Sequence, residues 1–340
     1  MKIRLPAEWE PQSGILLAWP HAATDWADLL VDAESVYIHV IEVITRFQLC
    51  VIACPEPDSV RERLETAGIP LERVRLYPVV TNDTWARDFG PITVYEGSRP
   101  LLLDFGFNGW GLKFASYLDN QATRLLHAAG AFGSVDRRTI GLILEGGSIE
   151  SDGEGTVLTT SECLLNPNRN PHLNRAGIEQ QLQALLGAEQ ILWLENGCLA
   201  GDDTDSHIDT LARLCPDHTI LYQACTDAAD EHFPALAAME EELQRFRTCD
   251  GAPYRLLPLP WPHACHADGH RLPATYANFL VINGAVLVPT YNDPHDQDAV
   301  NIIARAFPGR EVVGIDCSTL IRQHGSLHCI TMQIPQGVPL

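Results

Sequence analysis

At 340 residues, 46% of them hydrophobic, and with a mean hydropathy of −0.04, the chain has apolar material for one large core or two ordinary ones. A formal net charge of −21 argues against nucleic acid and anionic membranes as partners; it either attracts a cation or serves only to keep the protein soluble. No apolar stretch approaches the ~20 residues that span a bilayer, and Met1–Trp9 lacks the apolar run and cleavage site of a signal peptide, so a cytoplasmic location is expected.

Strand-like and helix-like stretches alternate along the chain with no low-complexity linker between them. Gly14–Trp19 reads as a strand stopped by Pro20, and Asp25 to Ile44 as the helix after it. Gln48–Cys54 is a strand stopped by Pro55, Ser59–Ala67 a short helix closed by Gly68, and Val74–Val80 another strand. Leu101–Phe105 and Gly155–Thr160 read as strands, Arg175–Leu186 as a helix, Gln190–Leu194 as a strand and Ala237–Phe246 as a helix. Tyr276–Val288 holds two apolar runs turning at Asn283-Gly284, a hairpin signal. A helix at Asp296–Phe307 and a strand at Glu311–Asp316 follow. The class is α/β, and its hairpins argue against a purely doubly wound sheet. Periodicity leaves one radial array and two packed domains both open.

Four segments carry chemistry. In Asp205-Ser206-His207-Ile208-Asp209 the imidazole and the last carboxylate are two apart, which in an extended segment turns both, with Asp205, to one face. Thr210-Leu211-Ala212 leads out of that group, as at the mouth of a buried strand. Cys329 follows glycine, serine and histidine in Gly325-Ser326-Leu327-His328-Cys329-Ile330-Thr331. The other cysteines are scattered without CxxC spacing and read as small buried hydrophobes of a reduced protein. Asp88 could accept the paired hydrogen bonds of a guanidinium, with Trp85 stacking on the same flat cation; the competing reading is an Arg87–Asp88 ion pair and a core indole. Glu145, ahead of Gly146-Gly147, could orient an imidazole, or serve only a turn. Thiol, imidazole and carboxylates together supply a nucleophile, a proton handler and a cation clamp, suited to covalent attack on a guanidinium.

His263-Ala264-Cys265-His266, with Asp268 and His270, completes no tetrahedral ligand spacing and reads as a surface loop. There is no Walker-type loop and no GxGxxG after a strand. Neither a metal nor an organic cofactor is expected.

Longer matches run in order through the chain: Pro6–Pro11, Thr81–Asp88, Asp104–Gly111, Leu144–Glu150, Glu162–His172, Gly201–Asp209, Leu272–Tyr276, Pro289–Pro294 and Gly325–Thr331. On these the chain closely resembles the agmatine deiminases, grouped with bacterial peptidyl-arginine deiminases among guanidine-modifying, amidinotransferase-like enzymes. The resemblance implies one catalytic domain over residues 1–340, a five-bladed α/β propeller (pentein) of ββαβ-type units around a central site. It implies hydrolysis of agmatine to N-carbamoylputrescine and ammonia through a covalent cysteine intermediate. By motif, Cys329 resembles the nucleophile, His207 the general acid/base, Asp88 and Asp209 the guanidinium clamp, Glu145 the residue positioning the histidine, and Trp85 a pocket wall. Ser206 departs from the glycine common beside that histidine. Asp202, Asp203 and Asp205 are candidates for the distal amine by their nearness in sequence. No extra arginine motif offers a clamp for an α-carboxylate, so agmatine is expected over free or peptidyl arginine. A non-catalytic propeller serving as a binding module would have lost the thiol, imidazole or carboxylates, and all are present. The sequence is compatible with a homo-oligomer without fixing its size.

Overall fold

The computed structural model describes residues 2–340, and its strands fall into five separate main sheets that repeat one hydrogen-bonding pattern. In each, a first strand runs antiparallel to a second, and the second runs parallel to a third reached through a helix. Ile149–Ser151, Thr156–Thr160 and Gln190–Leu194 show it in its shortest form, with the helix Arg175–Leu186 as the crossover. Ala212–Cys215, Thr219–Gln223 and Arg255–Leu259 repeat it around the helix Phe233–Arg245. Leu280–Ile282, Ala285–Thr290 and Glu311–Asp316 do so around Asp296–Ala306. The sheet Ile92–Glu96, Arg99–Gly106 and Arg137–Ile143 gains Ile3–Arg4 at its edge. In the remaining sheet the last strand of the chain, Thr331–Pro335, pairs antiparallel with Gln12–Ala18, followed in parallel by Leu49–Cys54 and Val74–Pro78. The last strand and the first long strand therefore meet in one sheet. A mixed α/β architecture is observed, as the alternation of elements leads one to expect.

Local chemistry explains which elements can be read from sequence. Arg175–Leu186 is found as expected because both ends are marked: the Asn174 side chain accepts from Gly177 N, and Gly187 closes the helix at φ 72°. The helix expected from Asp25 instead starts as a 3-10 turn at Ala27–Leu29 and becomes α-helical at Leu30–Thr45. Trp26 is withdrawn from it into the core, where its indole donates to Thr84 Oγ1 at 2.9 Å. The helix expected at Ala237 begins earlier, at Phe233, with Pro234 in its first turn, where a missing N–H costs nothing. Each crossover helix buries one stripe. Ala33, Tyr37, Val40, Ile41 and Ile44 of Leu30–Thr45 are fully covered, and each large side chain so buried contributes about 1.5–3 kcal/mol. No helix among the described residues is long and apolar enough to cross a membrane.

Candidate active site

Each sheet is entered through a short polar segment just before its first strand, and these five segments converge. Asp88 lies in the turn Ala86–Phe89 ahead of Ile92. Glu145 precedes the turn Gly146–Ser148 and Ile149. His207 and Asp209 flank and occupy the turn Ile208–Thr210 before Ala212. Asn278 precedes Leu280, and Cys329 precedes Thr331. Chemistry drawn from the whole chain is thus gathered by one repeated feature of the fold.

Cys329 is 7% exposed, with Sγ 3.4 Å from Asn278 Oδ1 and 4.0 Å from Asp209 Oδ2. Asp88 is pinned on both oxygens: Oδ2 accepts from Trp110 Nε1 and Oδ1 from Gly147 N, each at 2.9 Å. His207 Nδ1 lies 3.7 Å from Asp88 Oδ1. Asp209 is fully buried; its Oδ2 meets His328 Nδ1 at 2.7 Å, and its Oδ1 has no protein partner. A buried carboxylate oxygen without a donor is costly, and a guanidinium N–H would satisfy it. Glu145 is gripped through both oxygens by Arg169 Nε at 2.9 and 3.0 Å, rather than by the imidazole it was expected to orient. It nonetheless approaches within 4.8 Å of His207 and of the buried Cys163 thiol.

A narrow cavity of about 510 Å³, including its mouth, opens above Cys329. Asp88, Trp85 and Trp110 line it together with Asp25, Asp83, Asp202, Asp203, Gln323 and His324. Trp85 stands at the wall as expected, tilted against Trp26 with ring centroids 5.7 Å apart. Asp202 also lines the cavity, though its oxygens accept from Thr204 and from Ser206 N. Asp205 turns elsewhere, to Arg169 Nη1 and Lys113 Nζ, each at 2.6 Å, and is not among the lining residues. The expected extended segment is replaced by two left-handed residues, Asp205 at φ 66° and Ser206 at φ 61°, followed by the 3-10 turn. That reversal swings Asp205 away while His207 and Asp209 stay together. It also gives the physical reason why glycine suits position 206. Here serine adopts the same conformation and donates from Oγ to Glu162 Oε2 at 2.9 Å.

The electrostatics follow from burial among like charges. Burial, then the Asp209 and Asp88 carboxylates, push the Cys329 thiol well above its ordinary pKa. Burial opposes a charged His207, but Asp88, Cys163 and Glu145 outweigh it and hold the imidazole well above its usual value. Asp88 is raised by burial and by Asp209 despite His207, whereas Asp209 is lowered, because His328, His207 and Arg213 overcome its burial. Arg87 does not pair with Asp88; it faces Glu8, with Nη2 to Oε2 at 3.9 Å, and donates from Nε to His328 O at 3.4 Å.

Sequence reasoning missed Asn278, Trp110, Arg169, Gly147 and His328. Asn278 occupies the same place ahead of a strand as the recognised residues, which is a usable signal; Trp110 reaches Asp88 only through a left-handed turn with φ 53°, which sequence did not announce. The cluster His263, Cys265, His266 and His270 is not brought together. His266 and His270 sit on a small exposed hairpin, and His263 instead pairs with Asp293, shared with His295.

A family model described as Porphyromonas-type peptidyl-arginine deiminase matches residues 4–335. The agmatine deiminase of Pseudomonas aeruginosa (strain LESB58) is 33% identical over 98% of this chain and 95% of its own length. Among solved structures, a C. jejuni agmatine deiminase variant with substrate bound superposes with a TM-score of 0.92 at 40% identity, covering 99% of this chain and 97% of that one. A Porphyromonas gingivalis protein provisionally named an arginine deiminase gives a TM-score of 0.93 at 48% identity, covering 99% of both chains. At 12% identity an amidinotransferase from Microseira wollei still gives a TM-score of 0.55, a likeness of fold alone. With the match spanning nearly its whole length, the chain belongs to the Porphyromonas-type peptidyl-arginine deiminase family.

Proposed function

We propose that the protein is an agmatine deiminase, hydrolysing agmatine to N-carbamoylputrescine and ammonia in the cytoplasm. The observation that carries this reading is the charge of the cavity. Asp88 and Cys329 line it with four more aspartates, and among the described residues no lysine or arginine lines it. Such a pocket suits a molecule with a guanidinium at one end and an ammonium at the other. An α-carboxylate would meet acid where it needs a cation. Asp202, Asp203, Asp25 and Asp83 form the outer acid for the amine. Asp205 acts on it only indirectly, through Arg169 and Lys113. The five ββαβ-type sheets are read as the blades of one propeller domain with the site at its centre, a reading supported by their common pattern and by the convergence of their entry segments.

Asp88 and Asp209 grip the guanidinium, and Trp85 walls its face. The bound cation offsets the two carboxylates that hold Cys329 protonated, so the thiol ionises as substrate arrives, its proton passing to solvent and being regained once the product has left. The thiolate attacks the central guanidinium carbon, held close by the clamp. His207 gives its proton to the departing nitrogen, the C–N bond breaks, and ammonia leaves an S-alkylthiouronium on Cys329. Neutral His207 then takes one proton from a water molecule as its oxygen attacks the same carbon. Cleavage of C–S returns the thiolate and releases the ureido product, the second proton leaving with ammonia as ammonium. Glu145, fixed by Arg169, keeps negative charge near His207 and so supports its protonated form. Side chains supply all three functions the reaction needs.

The experiment is to measure ureido product from agmatine, arginine and an arginine-containing peptide, with Cys329→Ala alongside. Turnover confined to agmatine and abolished in the variant is expected. Turnover of arginine or the peptide instead would move the assignment to those substrates, the second reading, which the names of the family and of the P. gingivalis relative favour. Inertness toward all three would make the chain a non-catalytic binding module.

A further inference from the structure

We propose that Glu8 and His328 form a positioning relay for the substrate clamp: Glu8 holds His328, and His328 holds Asp209 so that one oxygen of its carboxylate remains for the guanidinium. The inference rests on the deiminase reading above and assigns two residues that the reaction itself does not use.

Three buried links build the relay. Asp209 Oδ2 lies 2.7 Å from His328 Nδ1, and His328 Nε2 lies 2.6 Å from Glu8 Oε2. Glu8 is fixed in turn, its Oε1 accepting from Val281 N at 2.6 Å and its Oε2 from Arg213 Nη2 at 2.9 Å. Arg213 cannot wander. It donates from Nε to Glu150 at 2.5 Å and from Nη1 to Phe279 O at 2.5 Å, and its guanidinium lies 4.5 Å over the Phe279 ring. Both ring nitrogens of His328 face carboxylates, and Nε2 also lies 3.0 Å from Arg213 Nη2. His328 thus sits among Glu8, Glu150 and Asp209 on one side and Arg213 and Arg87 on the other, all of them buried. The imidazole plane, held at two ends, prevents the Asp209 carboxylate from rotating. Its free Oδ1 is then fixed before substrate binds, which preorganises the clamp. Because Glu8 precedes Trp9 and the first long strand, docking of the N-terminal segment becomes a condition for a correctly set clamp.

The relay has a signature in pH. Asp209 is faced by His328 and Cys329 from the segment before the last strand, by His207 from its own segment, by Arg213 from the strand that follows, and by Asp88 and Arg87 from the turn Ala86–Phe89. His328 is the one that hydrogen-bonds it. Its loss raises the Asp209 pKa, so the carboxylate needed to hold the cation is protonated at higher pH. The acidic limb of agmatine binding, to which Asp88 and Asp209 both contribute, then moves up. A role confined to stability would lower the amount of folded protein without moving that limb.

The test compares Glu8→Gln and His328→Asn with wild type in agmatine turnover and, in a Cys329→Ala background, in calorimetric agmatine binding, both carried from the lowest pH at which the protein stays folded up to pH 9. The expected result for His328→Asn is an acidic limb moved to higher pH, seen as on the order of a tenfold loss of agmatine affinity on its acid side and carried in turnover mainly by KM. Glu8→Gln moves the limb in the same direction by less, and weakens agmatine binding. Glu8→Gln keeps the shape of the side chain and decides the matter alone if His328→Asn does not fold. An active wild type with an unmoved limb and unchanged agmatine affinity in Glu8→Gln overturns the relay and leaves the deiminase reading standing. A wild type that neither turns over nor binds agmatine overturns both.

Discussion

Replacing Gly147 by alanine tests the proposed site with one methyl group. Gly147 lies in the turn Gly146–Ser148, outside the left-handed region, so alanine meets no backbone objection there. Its Cβ would stand 2.6 Å from His207 Nδ1, 2.9 Å from Asp88 Oδ1 and 3.0 Å from Asp209 Oδ2. Ordinary contacts to carbon need about 3.4 Å or more, so three groups of the proposed machinery must each retreat by several tenths of an ångström. The Gly147 N–H also anchors Asp88, and that bond is disturbed with them. Misplacement near 1 Å costs about 100-fold in rate, whereas overpacking of a core costs about 1–3 kcal/mol of stability. Gly147→Ala should therefore fold cooperatively, with a modestly lowered urea midpoint, and lose at least about 100-fold in kcat for agmatine. The assay is ureido-product formation beside urea unfolding on the same preparation. Activity within about threefold of wild type would show that the three groups need not be where the geometry puts them, and the reasoning would fail.

Three further outcomes follow from the same geometry. Since burial and two carboxylates hold the Cys329 thiol well above its ordinary value, inactivation by iodoacetamide without substrate should keep accelerating as pH rises past 8; a plateau reached by pH 7 would mean a resting thiolate. In Gly325→Ala the new Cβ would lie 2.2 Å from Trp85 Cζ3 and 2.5 Å from Cη2, so the indole must leave its place. KM for agmatine should rise on the order of tenfold, and an unchanged KM would remove Trp85 from the binding wall. Asp119 is pushed up to about 7 by burial, above its unfolded value, so the stability it contributes at low pH is lost as pH rises from about 4 to 7. Asp119→Asn should thus raise the unfolding free energy by a few kcal/mol at pH 8 and by much less at pH 5. Equal effects at both values would show that the burial of Asp119 carries no charge penalty.

What could be read from the sequence depended on whether a residue's role was written locally. Cys329, His207, Asp88 and Asp209 stand in distinctive short motifs, and Arg175–Leu186 announces both its caps. The chemistry of Glu145 was visible as a carboxylate beside paired glycines, but its hydrogen-bonding partner was not. Arg169 lies on another segment and reaches Glu145 only because both approach the same centre. Asp205 shows the opposite failure. Spacing put it on the face of His207 and Asp209, and two consecutive left-handed residues, neither of them glycine, undo that prediction. Trp110 is invisible for the same reason, its indole delivered to Asp88 by a backbone conformation that side-chain type did not suggest. Thus the residues proposed to react could be found one motif at a time, whereas those that hold them required the fold.

The arrangement of acid in the pocket also explains why so much holding is needed. Asp88 and Asp209 face one another's charge beside a thiol that either of them would keep protonated. On the deiminase reading proposed above, a cation between them relieves all three at once, so affinity for substrate and activation of Cys329 draw on the same interaction. That coupling works only if the carboxylates cannot relax toward other donors beforehand. Trp110 and Gly147 prevent it at Asp88, and His328 prevents it at Asp209, leaving Oδ1 unanswered inside the protein. A neutral urea-like product no longer cancels the carboxylates, so the pocket that captures the guanidinium weakens its hold as the charge disappears. The same loss of charge returns Cys329 to its protonated form, ready for the next cation rather than for stray electrophiles.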